Sequence, residues 1–475
     1  MNKFMNIQKL FLLISFFWSS SLLAMSLDWK GGYRFEWTEI EKPQLGYTGA
    51  PGGSKSYILQ SLYLSPKVIA ADGVNIISRF EILPNTQTAY ANSQAGQIWG
   101  LGTQSSDPSL NNAKSDNQGQ TQIRVSQAYL NINQEYGSLI LGRAPFEFGL
   151  GMTYNAGNGA FDHWMDNRDI ATYKFIVGDW TFAPMISRIY DVDVQRGEAM
   201  QEQSFILNYE SKDTGSVIGY MQSSRKAPQS INDAKTAFGG ASVNGDFNLN
   251  RTNFTLGRTW SNFAFKFEAG FETGSTGIVN SSGQNIDMNG YGLALELTVP
   301  KGKSKWDYVF KVGMATGDNP DTATYEGYQF DRNYDVAMLL FNHRLGAKHR
   351  DFLRTSLIRS TSVDHATSID DEAISNAIYV SPQFNYEWND KLDLKNTITY
   401  AQLVVEPNTV SSNIRNTQKD LGFEWDIELA YKPQEKIQWV NQIGLLFPGK
   451  AFENGSENLS TDFTYGFASK AVISF

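Results

Sequence analysis

Hydrophobic and polar residues alternate with a period of two along most of this chain. In the stretch SNFAFKFEAGFETG (261–274), Phe263, Phe265, Phe267 and Phe271 fall on one parity, and Asn262, Lys266, Glu268 and Glu272 on the other. At helical spacing these phenylalanines would scatter around the whole circumference, so the pattern predicts a β-strand whose two faces meet different surroundings. Trp29, Tyr33, Phe35 and Trp37 alternate in the same way with Lys30, Gly32, Arg34 and Glu36. So do Tyr291, Leu293, Leu295 and Leu297 with Gly292, Ala294 and Glu296, and Phe423, Trp425, Ile427 and Leu429 with Glu424, Asp426 and Glu428. No segment shows a convincing helical period, and the expected fold class is all-β.

A soluble sandwich also alternates. Three features favour strands that cross a bilayer. The segments are long for a sandwich strand, aromatic residues gather near their ends (Trp180, Trp260, Trp306, Trp388, Tyr431), and the chain finishes FTYGFASKAVISF with Phe463, Tyr465, Phe467, Ile473 and Phe475 on one parity. That ending resembles the C-terminal signal by which outer-membrane barrels of Gram-negative bacteria reach their assembly machinery. The expected strands are 28–39, 56–65, 73–83, 121–133, 137–143, 168–178, 179–190, 201–211, 215–223, 247–260, 262–273, 286–299, 305–316, 374–388, 391–403, 419–432, 435–448 and 460–475. The linkers then alternate between tight turns and long polar loops, as in a single closed antiparallel transmembrane β-barrel of 18 strands with short periplasmic turns and long outer loops. The connector 317–373 holds two further strand-like stretches, 335–346 and 351–360, and an extra hairpin there would make 20 strands. The favoured reading is a long loop folded partly into the lumen.

The N-terminus fits export. Met1 to Lys9 carries two lysines and no acid, Leu10 to Leu23 is apolar, and Ala24-Met25-Ser26 offers small residues at a cleavage site, so 1–26 reads as a signal peptide and 27–475 as the barrel. After that segment no run is long and apolar enough for a membrane helix. Removing Lys3 and Lys9 leaves 38 bases against 49 acids, a balance of -11 that argues against nucleic acid as a partner. There is no cysteine, hence no disulfide and no lipid anchor on an N-terminal cysteine. The expected location is the Gram-negative outer membrane, with its lipid and lipopolysaccharide as neighbours and the barrel-assembly machinery as a partner through the strand ending at Phe475.

If the polar parity faces a lumen, the early strands contribute mainly bases (Arg34, Arg79, Arg124, Arg143, Arg168, Lys174) and the later strands mainly acids (Glu268, Glu296, Asp307, Glu424, Asp426, Glu428), with Lys266 among the latter. Opposite walls would then carry opposite charge and set ion preference. The alternative is that these charges pair across neighbouring strands and keep the lumen wet. Three stretches, VSQAYLNINQEYGSLILGRAPFEFGLG (125–151), ATGDNP (315–320) with LFNHRLG (340–346), and WDIELAYKPQEKIQWVNQIGLLFPGKAF (425–452), resemble the outer-membrane alginate-export family and allied porin-like barrels. The resemblance implies an 18-stranded barrel whose lumen arginines, here Arg124 and Arg143, contact an acidic polysaccharide or small anionic solutes.

Catalysis is not expected. His163, His343, His349 and His365 all lie in long connectors, and a hydrolase would need a histidine aligned with a serine or a pair of aspartates; His163 beside Asp162 and Asp166 is the one suggestive cluster, and loop histidines next to aspartates are common. No cofactor is expected, although Asp318 and Asp321 could contribute to a Ca²⁺ site. Two function classes remain: a passive pore for small polar or charged solutes, and a non-conducting barrel whose surface loops bind a partner.

Overall fold

Period-two alternation becomes one closed ring of antiparallel strands. The computed structural model describes residues 26–41, 54–82, 93–94, 123–191, 199–231, 242–243, 245–279, 283–319, 322, 324–343, 373–406, 418–452 and 463–475. Eighteen strands of nine residues or more form the wall. They are β1 (Ser26–Glu41), β2 (Lys55–Ala71), β3 (Val74–Ile82), β4 (Ile123–Gln134), β5 (Gly137–Pro145), β6 (Asn167–Val177), β7 (Trp180–Asp191), β8 (Ala199–Ser211) and β9 (Ser216–Ala227). The second half comprises β10 (Phe247–Thr259), β11 (Ala264–Val279), β12 (Asn285–Val299), β13 (Trp306–Ala315), β14 (Ala377–Asn389), β15 (Leu392–Leu403), β16 (Asp420–Gln434), β17 (Ile437–Pro448) and β18 (Thr464–Ser474). Three two-residue strands add short pairings beyond the ring. The expected count of 18 is what the barrel has, with most bounds shifted by only a few residues.

Each strand pairs with the next, and β1 pairs with β18 from Gly32↔Ser474 to Glu41↔Tyr465, which closes the ring. Gly31 and Phe475 complete the seam by exchanging backbone hydrogen bonds of 2.9 and 3.0 Å. Closure joins the first strand to the last, so the ring has no free edge strand, the condition for a sheet in hydrocarbon. A 20-stranded alternative is ruled out by register. β13 pairs directly with β14, from Trp306↔Tyr386 to Ala315↔Ala377, so no hairpin can stand between them. Of the stretches that raised that alternative, 335–346 has its residues 335–343 inside the barrel, while 344–346 and all of 351–360 fall outside the described residues, as does the segment 1–25.

The two parities have the surroundings that their chemistry requires. On β1, Tyr33, Phe35 and Trp37 are 37%, 38% and 38% exposed, whereas Arg34, Glu36 and Thr38 are 7%, 1% and 5% exposed. Apolar side chains therefore cover the outside and polar ones the inside, the reverse of a soluble core. Trp180, Trp260, Trp306, Trp388 and Trp439 cluster outside near the short-turn end and form an interfacial girdle.

Candidate functional site

The lumen is not an open cylinder, because two connectors turn inward and are held by carboxylates of the wall. The first, residues 146–166 between β5 and β6, carries three glycines in left-handed conformation, Gly149 (φ 63), Gly151 (φ 75) and Gly157 (φ 70), which let it double back. Phe146, Phe148 and Tyr154 pack against Ile170, Met185 and Met221 of the wall. Glu268 on β11 accepts the backbone N–H groups of Leu150, Met152 and Thr153 at 2.7, 3.1 and 3.1 Å. One carboxylate thus satisfies three amides that would otherwise be stranded away from water. Farther along, Arg34 donates to the carbonyls of Ala160 and Asp162 (3.3 and 2.7 Å), and His163 Nε2 lies 2.8 Å from Glu36 Oε1.

The second inserted segment, residues 326–343, is held in the same way. Glu424 accepts the N–H groups of Leu339 and Leu340 at 2.6 and 2.7 Å, and Asp426 accepts that of Met338 at 3.0 Å. Ser381 and Thr399 both donate to the carbonyl of Val336. Tyr328 seats its ring over Gly270 and Gly292, where a Cβ on either residue would overlap it. The two segments clasp each other: Asn333 Nδ2 donates to Trp164 O (2.8 Å), Trp164 N–H donates to Asn333 Oδ1 (3.1 Å), and Asp331 N–H donates to Met152 O (2.6 Å).

At this clasp, burial pushes the Asp331 carboxyl up to about 7, opposed by the N–H of Asn333 and reinforced by the nearby charge of Asp166. A raised carboxyl binds its proton more tightly in the folded state, so its contribution favours the clasp below the ordinary aspartate range. That contribution is lost as pH rises to about 7. Amide exchange at Tyr328–Tyr334, corrected for intrinsic rates, should accordingly be faster at pH 8 than at pH 5.5, and Asp331→Asn should remove the difference.

Between these segments and the wall of β1 and β12–β18 lies a cavity of 440 Å³. Each of its three lysines stands beside an acid on a neighbouring strand: Lys311 with Glu296 at 3.3 Å, Lys395 with Glu428 at 2.7 Å, and Lys470 with Glu36 at 3.9 Å. Gln383, Gln438, Gln442, Thr38 and Thr397 fill the intervals, so the lining is polar with both signs of charge. A second cavity of 400 Å³, on the far side of the clasp, is lined by Arg251, Glu272, Asp166, Asp331, Arg332 and Trp164.

The structure redistributes the residues expected to line a pore. Glu296, Asp426 and Glu428 do border the larger cavity. Glu268 and Glu424 point inward but are fully buried beneath the inserted segments, as anchors rather than water-exposed charges. Arg34 and Arg168 are inward and buried too; Arg168 is bound by Asp166 and Glu202 and lies over the rings of Phe146 and Tyr154. Arg79 pairs with Glu81 at 2.6 Å, Arg124 lies opposite Glu81 in register, and Lys174 is exposed on the face of Arg168. Asp307 is bonded to the Asn385 amide, and Lys266 lies opposite Glu296. Arg143 is a correction: it shares the outward parity of Leu139 and Leu141 and holds Asp169 on the outer wall, so it is not a pore residue.

The expected division into a basic and an acidic wall is likewise replaced by pairing. Glu36, Glu81 and Glu202 stand among the early bases, and Lys311, Lys395 and Lys470 among the later acids. The spacing Arg34-x-Glu36 and Arg79-x-Glu81 was the available signal, because residues two apart on a strand share a face. Asp318 accepts the N–H of Glu326, while Asp321 lies outside the described residues, as do His349 and His365. Among the described residues no group of three or more acids and histidines is placed to hold a metal.

No protein-family model matches the chain, and no curated protein matches its sequence. Solved structures do match in fold. OccK2 (OpdF) of Pseudomonas aeruginosa in complex with glucuronate superposes with a TM-score of 0.50 at 7% identity, covering 95% of this chain and 96% of that one. A BenF-like porin from Pseudomonas fluorescens Pf-5 gives 0.50 at 10% identity over 95% and 98%, and OccK9 (OpdG) of Pseudomonas aeruginosa gives 0.50 at 11% identity over 95% and 98%. The chain is thus similar to these barrels in architecture. The class they define together is the closed 18-stranded antiparallel β-barrel.

Proposed function

We propose that this barrel is a passive outer-membrane pore for small polar and charged solutes, which pass through the cavity between the inserted segments and the β12–β18 wall. The observation that carries this reading is the lining of that cavity. Three lysine–acid pairs, interspersed with amides and hydroxyls, offer a solute hydrogen bonds and both signs of charge without a large net field. A lining of this kind suits sugars, sugar acids and small zwitterions better than a long polyanion. The resemblance to the alginate-export family is carried no further for that reason, and because Arg143, one of the two arginines it would place in the pore, faces outward. Neither catalysis nor a cofactor is part of this reading: His163 is engaged by Glu36, and passive diffusion requires no chemistry.

Purified protein in a planar bilayer tests it. Discrete conductance steps are expected, and glucuronate, the ligand of one barrel with this fold, is a suitable first solute for measuring current block. Replacing Lys311, Lys395 and Lys470 together by glutamine should shift the reversal potential in a salt gradient toward cations, since their acid partners remain. Absence of steps from correctly folded protein would instead support a non-conducting barrel that works through its surface loops.

A further inference from the structure

The three lysine–acid pairs of the larger cavity share one construction. Glu296 and Lys311 are direct partners across β12 and β13, Lys395 and Glu428 across β15 and β16, and Glu36 and Lys470 across β1 and β18. Direct partners on one face of a sheet bring their side chains together, and here the charged atoms stand 3.3, 2.7 and 3.9 Å apart. In the first two pairs both members line the cavity and both are partly exposed, 23% and 20% for Lys311 and Glu296, 34% and 14% for Lys395 and Glu428. In the third, Lys470 lines the cavity while Glu36 is buried. The first two pairs therefore each present a dipole to the solute instead of a single charge. Neighbours hold those dipoles in place: Lys311 also donates to the carbonyl of Asp335 at 3.2 Å, Tyr334 donates to Glu296 at 3.1 Å, and the Gln442 amide donates to Glu428 at 2.6 Å.

The charge of a solute decides what such a dipole does to it. An anion drawn to Lys311 meets the carboxylate of Glu296 beside it, and a cation drawn to Glu296 meets the lysine, so attraction and repulsion largely offset for either. A solute that carries both charges at a similar spacing lies antiparallel to the dipole, its ammonium on the acid and its carboxylate on the lysine, and gains at both ends. The pairs are also met in turn. The row of Lys311 runs through Ser381 and Thr399 to Glu424 on β16, and Glu428 lies four residues farther along that strand. At about 3.3 Å per residue the two pairs are roughly 13 Å apart along the strand direction, so a small solute passes from one to the other without bridging both. Gln383 and Thr397, themselves direct partners, line the cavity on the row between and offer hydrogen bonds on the way.

We infer that the preferred solutes are small zwitterions whose ammonium and carboxylate share one carbon, the class of the α-amino acids, and that Lys311–Glu296 and Lys395–Glu428 select them. The inference rests on the reading of the barrel as a pore. Three solutes built on one carbon skeleton separate the charges: serine has both, glycerate the carboxylate alone, and serinol the ammonium alone. Equilibrium exchange of each radiolabelled solute into proteoliposomes at neutral pH moves no net charge, and protein-free vesicles give the background. At low solute concentration, where affinity for the passage raises flux, serine should exchange at least about fivefold faster than either singly charged analogue. Lys311→Gln with Lys395→Gln should shift the preference to serinol, and Glu296→Gln with Glu428→Gln should shift it to glycerate. Reversing both dipoles, by Lys311→Glu with Glu296→Lys and Lys395→Glu with Glu428→Lys, should keep most of the lead of serine, a rescue that a merely structural role would not give. Exchange of all three solutes at one rate by the wild-type protein, which depends on no variant folding, overturns the inference and leaves the pore standing. So does a lead of serine that is unchanged in the glutamine variants. Exchange of none of the three would remove the pore and the inference together.

Discussion

Glu424→Ala should enlarge the pore while leaving the barrel standing. Glu424 is fully buried and accepts the N–H groups of Leu339 and Leu340, and its removal strands both amides away from water. Hydrogen bonds to a charged group contribute about 1.5–3 kcal/mol each, so the segment 326–343 should lose about 3 kcal/mol or more of its docking free energy. The strands around the site keep their own ladder, since β16 remains paired with β15 and β17 along its length. The expected result is protein that still shows heat-dependent migration on gels and carries a severalfold larger, noisier single-channel conductance. A variant with wild-type conductance would show that the segment does not restrict the passage.

The second large effect lies on the outer face. Phe267 sits on the outward parity of β11, between the aromatic cluster of Trp260 and Phe265 near the short turn and Phe271 farther up the strand. Arginine at a mid-bilayer position on a barrel costs about 2–4 kcal/mol, less toward the interfaces, because its charge must be dragged into hydrocarbon. Phe267→Arg should therefore destabilise folding into lipid vesicles by an amount in that range. Lys266→Gln, one residue away and facing inward opposite Glu296, should leave folding intact. Equal losses from the two changes would contradict the assigned facing.

The strand count was legible because facing in a barrel is local information: two residues in sequence decide which side each occupies, and β11 shows it within SNFAFKFEAGFETG. What lies inside is not local. Glu268 and Glu424 read like any inward acid, yet each is covered by a segment far off in sequence, Glu268 by Leu150 across 118 residues and Glu424 by Leu339 across 85. No periodicity encodes such a partner. The apolar stretch from Val336 to Phe341 looked strand-like for a related reason. It is buried on all sides within the lumen, so it lost the alternation of a wall strand and kept only its hydrophobicity. Arg143 suggests a lumen by its residue type alone, whereas its parity with Leu139 and Leu141 places it outside.

The central claim is that hydrocarbon covers one face of these strands and water the other, and the absence of native cysteine makes it directly measurable. Phe310 and Lys311 are neighbours on β13, the first 38% exposed on the outer wall and the second lining the cavity. In protein reconstituted into vesicles, Phe310→Cys should resist a charged thiol reagent and, once carrying a fluorophore, be quenched by brominated acyl chains. Lys311→Cys should react with the reagent and escape that quenching. The reverse pattern, or the same response at both positions, would contradict the account.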